Sequence, residues 1–260
     1  MYIDMGARLA NKSVKNSVSP EEWETRVDLA AFFRLIAHYG YNTGPDNHVT
    51  ARVPGEPDRF LINPGKRMFS EVTASNLVKI ALDGTIVGEA PTGIVNPAGY
   101  IIHGAVMGAR PDVNCAAHLH TVPGVAVAAQ RKGLRFICQE SMRFYGKIGF
   151  HDYEGISKDL DEQDRLAHDL ADNFVLILRN HGSLVVGRTI AEAFSLTLAY
   201  EKSCTIQIAA QAAGEELVLP SREICEQTLN HRGRLNKPQG DDAWEAYRRI
   251  ADAYYPSYAT

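Results

Sequence analysis

Two histidines stand one residue apart in Cys115-Ala116-Ala117-His118-Leu119-His120-Thr121, and a third closes the run Phe174-Val175-Leu176-Ile177-Leu178-Arg179-Asn180-His181 just before Gly182. The first run is strand-like. Side chains i and i+2 of a strand share a face, so His118 and His120 stand side by side. His181 sits at the end of a second apolar run. If the two strands lie near each other, three imidazoles converge at one end of a sheet. Three neutral imidazoles with coordination positions left open make a catalytic metal site rather than a closed structural one. The competing reading is that each histidine serves packing, since spacing alone does not bring the third to the pair.

The chain that must position them has 260 residues, 45% of them hydrophobic, and a formal net charge of −4. That length suits one large α/β domain or two small ones, with a sizeable core. The charge gives no reason to expect nucleic acid or an anionic membrane surface as partner. No apolar run reaches the ~18 residues of a membrane span. Residues 1–20 are polar and lack an apolar signal core. The four cysteines, at 115, 138, 204 and 225, form no C-x-x-C pair and read as reduced thiols. A cytoplasmic protein is the expectation.

Ser19, Pro20 and Glu22 read as N-cap, first helical residue and capping-box partner of a helix over 20–39. Strands are expected at 48–53, 59–63, 77–82 and 85–88, the last two flanking Asp83-Gly84, a type I′ hairpin signal. Asn96-Pro97 opens a helix over 97–109. The histidine pair ends a strand over 114–120, followed by a helix over 123–132 and strand-like segments near 135–138 and 147–150. A helix over 161–172 leads into a strand over 174–179, which Val185-Val186 is read as resuming. Thr189-Ile190-Ala191-Glu192 is a second capping box, opening a helix that Gly214 stops. Early hairpins and later helix–strand alternation give an α/β fold, a sheet sandwiched by helices. The division expected is an N-terminal arm over 1–19, the main domain over 20–214, and a helical extension and tail over 215–260.

Five stretches together carry a resemblance: His48-Val49-Thr50-Ala51-Arg52, Phe60-Leu61-Ile62-Asn63-Pro64, Ala109-Arg110-Pro111-Asp112-Val113 ahead of the histidine pair, Arg179-Asn180-His181-Gly182, and Thr189 to Glu201. Over residues 22–213 the chain resembles the class II aldolase/adducin family, and Phe144 to Leu160 looks closest to its adducin-like bacterial branch. The resemblance implies an α/β/α sandwich around a mostly antiparallel sheet, and a homotetramer with active sites at subunit interfaces. It assigns the metal-ligand role to His118, His120 and His181, with Zn2+ first and Fe2+ or Mn2+ as alternatives. There are departures. The carboxylate of the sugar-phosphate enzymes matches Gly99, their phosphate-holding hydroxyl residues match Pro97 and Ala98, and the asparagine of their Gly-Asn-Val-Ser stretch is His48. A phosphorylated sugar is therefore disfavoured as substrate.

Metal-assisted chemistry still needs proton transfer. Glu140, where family members place a substrate-facing residue, is the first candidate, and Tyr145 the second. His103 reads as core packing. Lys66 and Arg67, after the Asn63-Pro64-Gly65 turn, could meet a substrate carboxylate. His48 is placed on the substrate side. Relatives lend a tail tyrosine to a neighbouring subunit's site, which makes Tyr255, with Tyr254 and Tyr258, a candidate. Three functions follow from these features. The first is a metal-dependent carbon–carbon lyase, an aldolase or decarboxylase, acting on a small oxygenated, non-phosphorylated molecule through an enolate. The second is an Fe(II)-dependent non-haem oxygenase. The third is a non-catalytic adducin-like binding module.

Overall fold

A computed structural model describes residues 12–88, 94–155, 161–233 and 235–260. A short helix, α1 (Lys12–Ser17), lies inside the expected arm and buries Val14. Helix α2 (Pro20–His38) starts as its sequence dictates, with Ser19 Oγ accepting the Glu22 N–H at 3.1 Å. Such a cap stabilises by about 1 kcal/mol. Only half of the capping box forms. The Glu22 carboxylate instead holds Arg26 at 2.9 Å and Lys79 at 2.7 Å, both more strongly charged donors than a backbone amide.

Strands β1 (His48–Val53), β2 (Glu56–Ile62) and β3 (Val78–Ala81) form an antiparallel meander. The Asp83-Gly84 turn is not type I′. That turn needs two left-handed residues, and here only Gly84 has positive φ, at 83°. The expected strand over 85–88 shrinks to one bridge between Ile86 and Ile80. Helix α3 (Pro97–Ala109) is capped by Asn96, and β4 (Cys115–Leu119) follows. Helix α4 (Val122–Ala128) comes next. The segment near 135–138 is no strand and leads into α5 (Gln139–Met142). Then come β5 (Ile148–His151), α6 (Glu162–Leu170) and β6 (Val175–Leu178). Val185-Val186 does not continue β6. It belongs to β7 (Gly182–Gly187), which folds back antiparallel, so that the apolar run is a hairpin. Helix α7 (Ile190–Ala212) is capped by Thr189 and followed by left-handed Gly214. Its box is also half formed, since the Glu192 carboxylate goes to Arg188. Helices α8 (Arg222–Asn230) and α9 (Asp241–Tyr254) complete the chain, with a 3-10 turn over Pro256–Ala259.

Among the described residues seven strands run in the order β3-β2-β1-β4-β7-β6-β5, all antiparallel except β5 beside β6. Alternation splits the core. Val49, Ala51, Leu61, Cys115, Ala117 and Leu119 meet α2, α7 and α9 through Phe32, Phe33, Phe194 and Ala251. On the other face Phe60, Ile62, Ala116, Leu176, Leu184 and Val186 meet α3 and α6 through Ile102, Val106, Leu166 and Leu170. Each fully buried large aliphatic side chain contributes roughly 1.5–3 kcal/mol. The result is an α/β/α sandwich with a mostly antiparallel sheet. Among the described residues no helix is long and apolar enough to cross a membrane.

Candidate metal centre

The centre lies where β4 and the β6–β7 hairpin end side by side. His118 is the penultimate residue of β4. His120 follows the strand, held by its N–H donating to Asn47 Oδ1 at 2.7 Å. Leu178 pairs with Gly182 across the hairpin, leaving a three-residue loop in which the His181 N–H donates to the Leu178 carbonyl at 3.1 Å. The loop turns through Asn180, whose φ of 58° is left-handed, a conformation asparagine tolerates better than most residues. Gly182 is required for a different reason. A Cβ there would lie 2.5 Å from the Leu119 carbonyl oxygen and 3.0 Å from His120 Cδ2. The two strands reach this close approach only without a side chain.

One ligand atom from each of His118, His120 and His181 lies within 4.8 Å of the others. The ring centroids are 4.5, 4.9 and 4.7 Å apart. His118 Nδ1–H donates to the Ser183 carbonyl at 2.9 Å. A carbonyl only accepts, so this bond fixes the tautomer and leaves the Nε2 lone pair facing inward. That Nε2 is 2.7 Å from His120 Nε2. Two lone pairs at that distance repel unless a proton or a cation lies between them. Burial pushes all three imidazoles down. His118 lies well below the usual histidine range, helped by His48, His120 and His181. His181 is pushed to about 4, with His120 and His151 adding to burial. His120 is lowered by burial, with Asp46 opposing. The three are neutral at neutral pH, which is the form that ligates. These residues fit a divalent ion.

Around the triad lies a second group that the sequence only hinted at. His48 pairs in register with His118 on the adjacent strand, their rings 4.8 Å apart. His48 Nδ1 bonds His103 Nε2 at 2.9 Å, and His103 Nδ1 bonds Thr50 Oγ1 at 2.5 Å. His103 is wholly buried and pushed to about 3 by that burial. It is therefore the middle of a polar chain and not simply a packing residue. The readable cue was Thr50, two residues beyond His48 and so on the same face. Gly99 lies against this chain. A Cβ on it would come 3.4 Å from His48 Cδ2 and 3.0 Å from Ile62 Cδ1.

The remaining candidates make contacts of their own. Glu140, on α5, is ion-paired with Lys202 of α7, whose ammonium holds its carboxyl below the usual range. Tyr145 packs edge-on against Phe136, centroids 5.0 Å apart. Lys66 is exposed, with a left-handed φ of 62°. Tyr255 is buried within the chain, its hydroxyl 2.9 Å from His38 Nδ1, and Tyr258 bonds Asp252 at 2.6 Å. The tail tyrosine left on the surface is Tyr254, 65% exposed. Sequence reasoning also missed Glu201. This fully buried residue of α7 has Oε2 2.5 Å from Thr121 Oγ1, one residue past His120.

Comparison with known proteins gives a consistent picture. A family model described as the class II aldolase and adducin N-terminal domain matches residues 27–208. An aldolase class 2-type protein of Caulobacter vibrioides is 40% identical over 252 residues, covering 96% of this chain and 98% of that protein. Rat alpha-adducin is 43% identical over 185 residues, which are 70% of this chain and 25% of alpha-adducin. The crystal structure of an aldolase II superfamily protein from Pseudomonas syringae superposes with a TM-score of 0.89 at 46% identity, covering 95% of this chain and 99% of that one. An L-fuculose 1-phosphate aldolase from Glaciozyma antarctica superposes with a TM-score of 0.81 at 28% identity, covering 96% of each.

Proposed function

The chain belongs to the class II aldolase and adducin family, and from that premise we propose that it is a metal-dependent carbon–carbon lyase, an aldolase or decarboxylase of a small oxygenated, non-phosphorylated molecule. The observation that carries the reading is the convergence of three neutral imidazoles within 4.8 Å. His118, His120 and His181 would hold the ion, Zn2+ before Fe2+ or Mn2+. When bound, the ion supplies Lewis acidity to adjacent substrate oxygens.

The chain's own residues do the rest. Ser183 and Asn47 fix His118 and the His120 backbone. His48 lies beside the triad, hydrogen-bonded through His103 to Thr50. Helix α3 begins with Pro97, which has no N–H, and the N–H groups of Ala98 and Gly99 are taken by Asn96. This N-terminus has little left for an anion. That, with Gly99 in place of a carboxylate, favours a substrate without phosphate, unlike that of the Glaciozyma relative. The assembly proposed is a homotetramer with sites between subunits, in the cytoplasm. Light scattering on the purified protein should give four times the chain mass; a monomer would overturn that assembly.

Elemental analysis of protein purified without chelators tests the central claim. One zinc per chain is expected, and His120→Ala should lose both the metal and turnover. Full lyase activity in a metal-free His120→Ala would end the proposal. Stoichiometric iron with Fe(II)-dependent oxygen consumption would replace it with an oxygenase. A wild-type chain without metal would point to an adducin-like binding role.

A further inference from the structure

Strand β5 ends at His151, and α6 runs beside it. His151 is buried, and its Nδ1–H donates to Asp169 Oδ2 at 2.9 Å. In the neutral ring that bond leaves the lone pair on Nε2, which is buried and, among the described residues, makes no hydrogen bond. The nearest carboxylate oxygen, Glu162 Oε1, is 3.5 Å away, too far for a direct bond. A buried acceptor left in this way costs about 1–3 kcal/mol, so it calls for an explanation.

A cavity of about 10 Å³ opens beside it, lined by His151, Glu162, Tyr153, Arg179 and His181 among others. That is room for one water. His151 and the third imidazole of the triad thus both line one small cavity. Metal-ligating histidines ordinarily donate their other ring N–H to a carboxylate, a carbonyl or water. His118 has the Ser183 carbonyl for this. Among the described residues, the His181 ring has no hydrogen-bond partner.

We infer that Asp169 and His151 support the metal centre, reaching His181 through a single water held in this cavity. The water accepts the free ring N–H of His181 and donates one proton to His151 Nε2 and the other to Glu162 Oε1. No group changes its charge. His151 and Asp169 are positioning residues in this arrangement. They fix the plane of the His181 ring and strengthen it as a ligand, and neither touches the ion.

The inference rests on the metal reading above, and zinc affinity tests both. His151→Asn keeps a donor for Asp169 and leaves nothing at the Nε2 position, whereas His151→Gln can present an amide oxygen there. Competition with a chromophoric chelator should show His151→Asn binding zinc 10–100-fold more weakly. His151→Gln should stay near the parent. The visible spectrum of the Co(II) form should shift only in the Asn variant. Melting of the metal-free proteins reports whether each variant folds. If His151→Asn does not fold, Asp169→Ala decides, and it too should weaken zinc binding. Parent-like affinity in a folded His151→Asn, or in Asp169→Ala where that variant decides, overturns the inference while leaving the metal site intact. A wild-type chain that binds no zinc overturns the metal reading and this inference together.

Discussion

Thr121 joins the metal centre to the helix behind it. Its Oγ1 accepts the Gly124 N–H at 2.9 Å as N-cap of α4 and donates to Glu201 Oε2. Burial raises the Glu201 carboxyl to about 7, with the Thr121 bond opposing. Its folded value thus lies above its ordinary 4.5. Below pH 4.5 both folded and unfolded chains hold the proton and no cost arises. As pH rises from 4.5 to 7 the unfolded chain ionises first, and stability falls by up to about 3 kcal/mol. Glu201→Gln keeps an acceptor for Thr121 and never ionises. Urea unfolding should show the variant gaining on the parent between pH 4.5 and 7 and holding that gain above. Parallel pH profiles would refute this. His181, lowered to about 4, gives the opposite slope between pH 6.5 and 4 in both proteins, so it cancels in the comparison. Of these residues the His118–His120 pair was legible, because alternation in a strand is local, whereas His181 joined it through the family resemblance. Thr121 and Glu201 meet across 80 positions, and no spacing rule connects them.

Elements were legible where their ends carry chemistry. His48–Val53 and Pro97–Ala109 have the expected bounds, since Asn96-Pro97 is a strong helix start. The β6–β7 hairpin was read as one interrupted strand. All six residues of β7 are buried, so it lacks alternation, and its turn carries a histidine where glycine is the usual signal. Gly182 has a consequence at this scale. Gly182→Ala would force a Cβ between β7 and the end of β4. Overpacking of this kind costs about 1–3 kcal/mol. The variant should melt lower and bind zinc more weakly, although it alters no ligand. Differential scanning calorimetry with a zinc titration would check this, and an unchanged zinc affinity would refute the coupling.

The three-layer architecture follows from alternating elements with one apolar face each, and was expected. The strand order was not, because β1 beside β4 and β4 beside β7 are long-range pairings that no local pattern encodes. The parallel β5–β6 pair is likewise set by the α6 crossover. At the scale of the molecule, an ion bound only by the folded state stabilises by about 2.7 kcal/mol at 100 times its Kd. For a chain of this size that raises Tm by roughly 5–10 °C. Thermal melts with zinc and then with a chelator should show the shift and its reversal; a Tm indifferent to both would count against a site in the folded state.

The His118–Ser183 bond spans 65 positions and joins β4 to its antiparallel neighbour β7. Closing a loop of that length is paid for before the contact rewards it, so this pairing is expected late in folding. On that expectation the three imidazoles converge only in the finished sheet. Zinc should leave the refolding rate nearly unchanged and slow unfolding, and stopped-flow chevrons with and without the ion would read the difference. In time, a bound metal would act as a latch that drops after the door has closed.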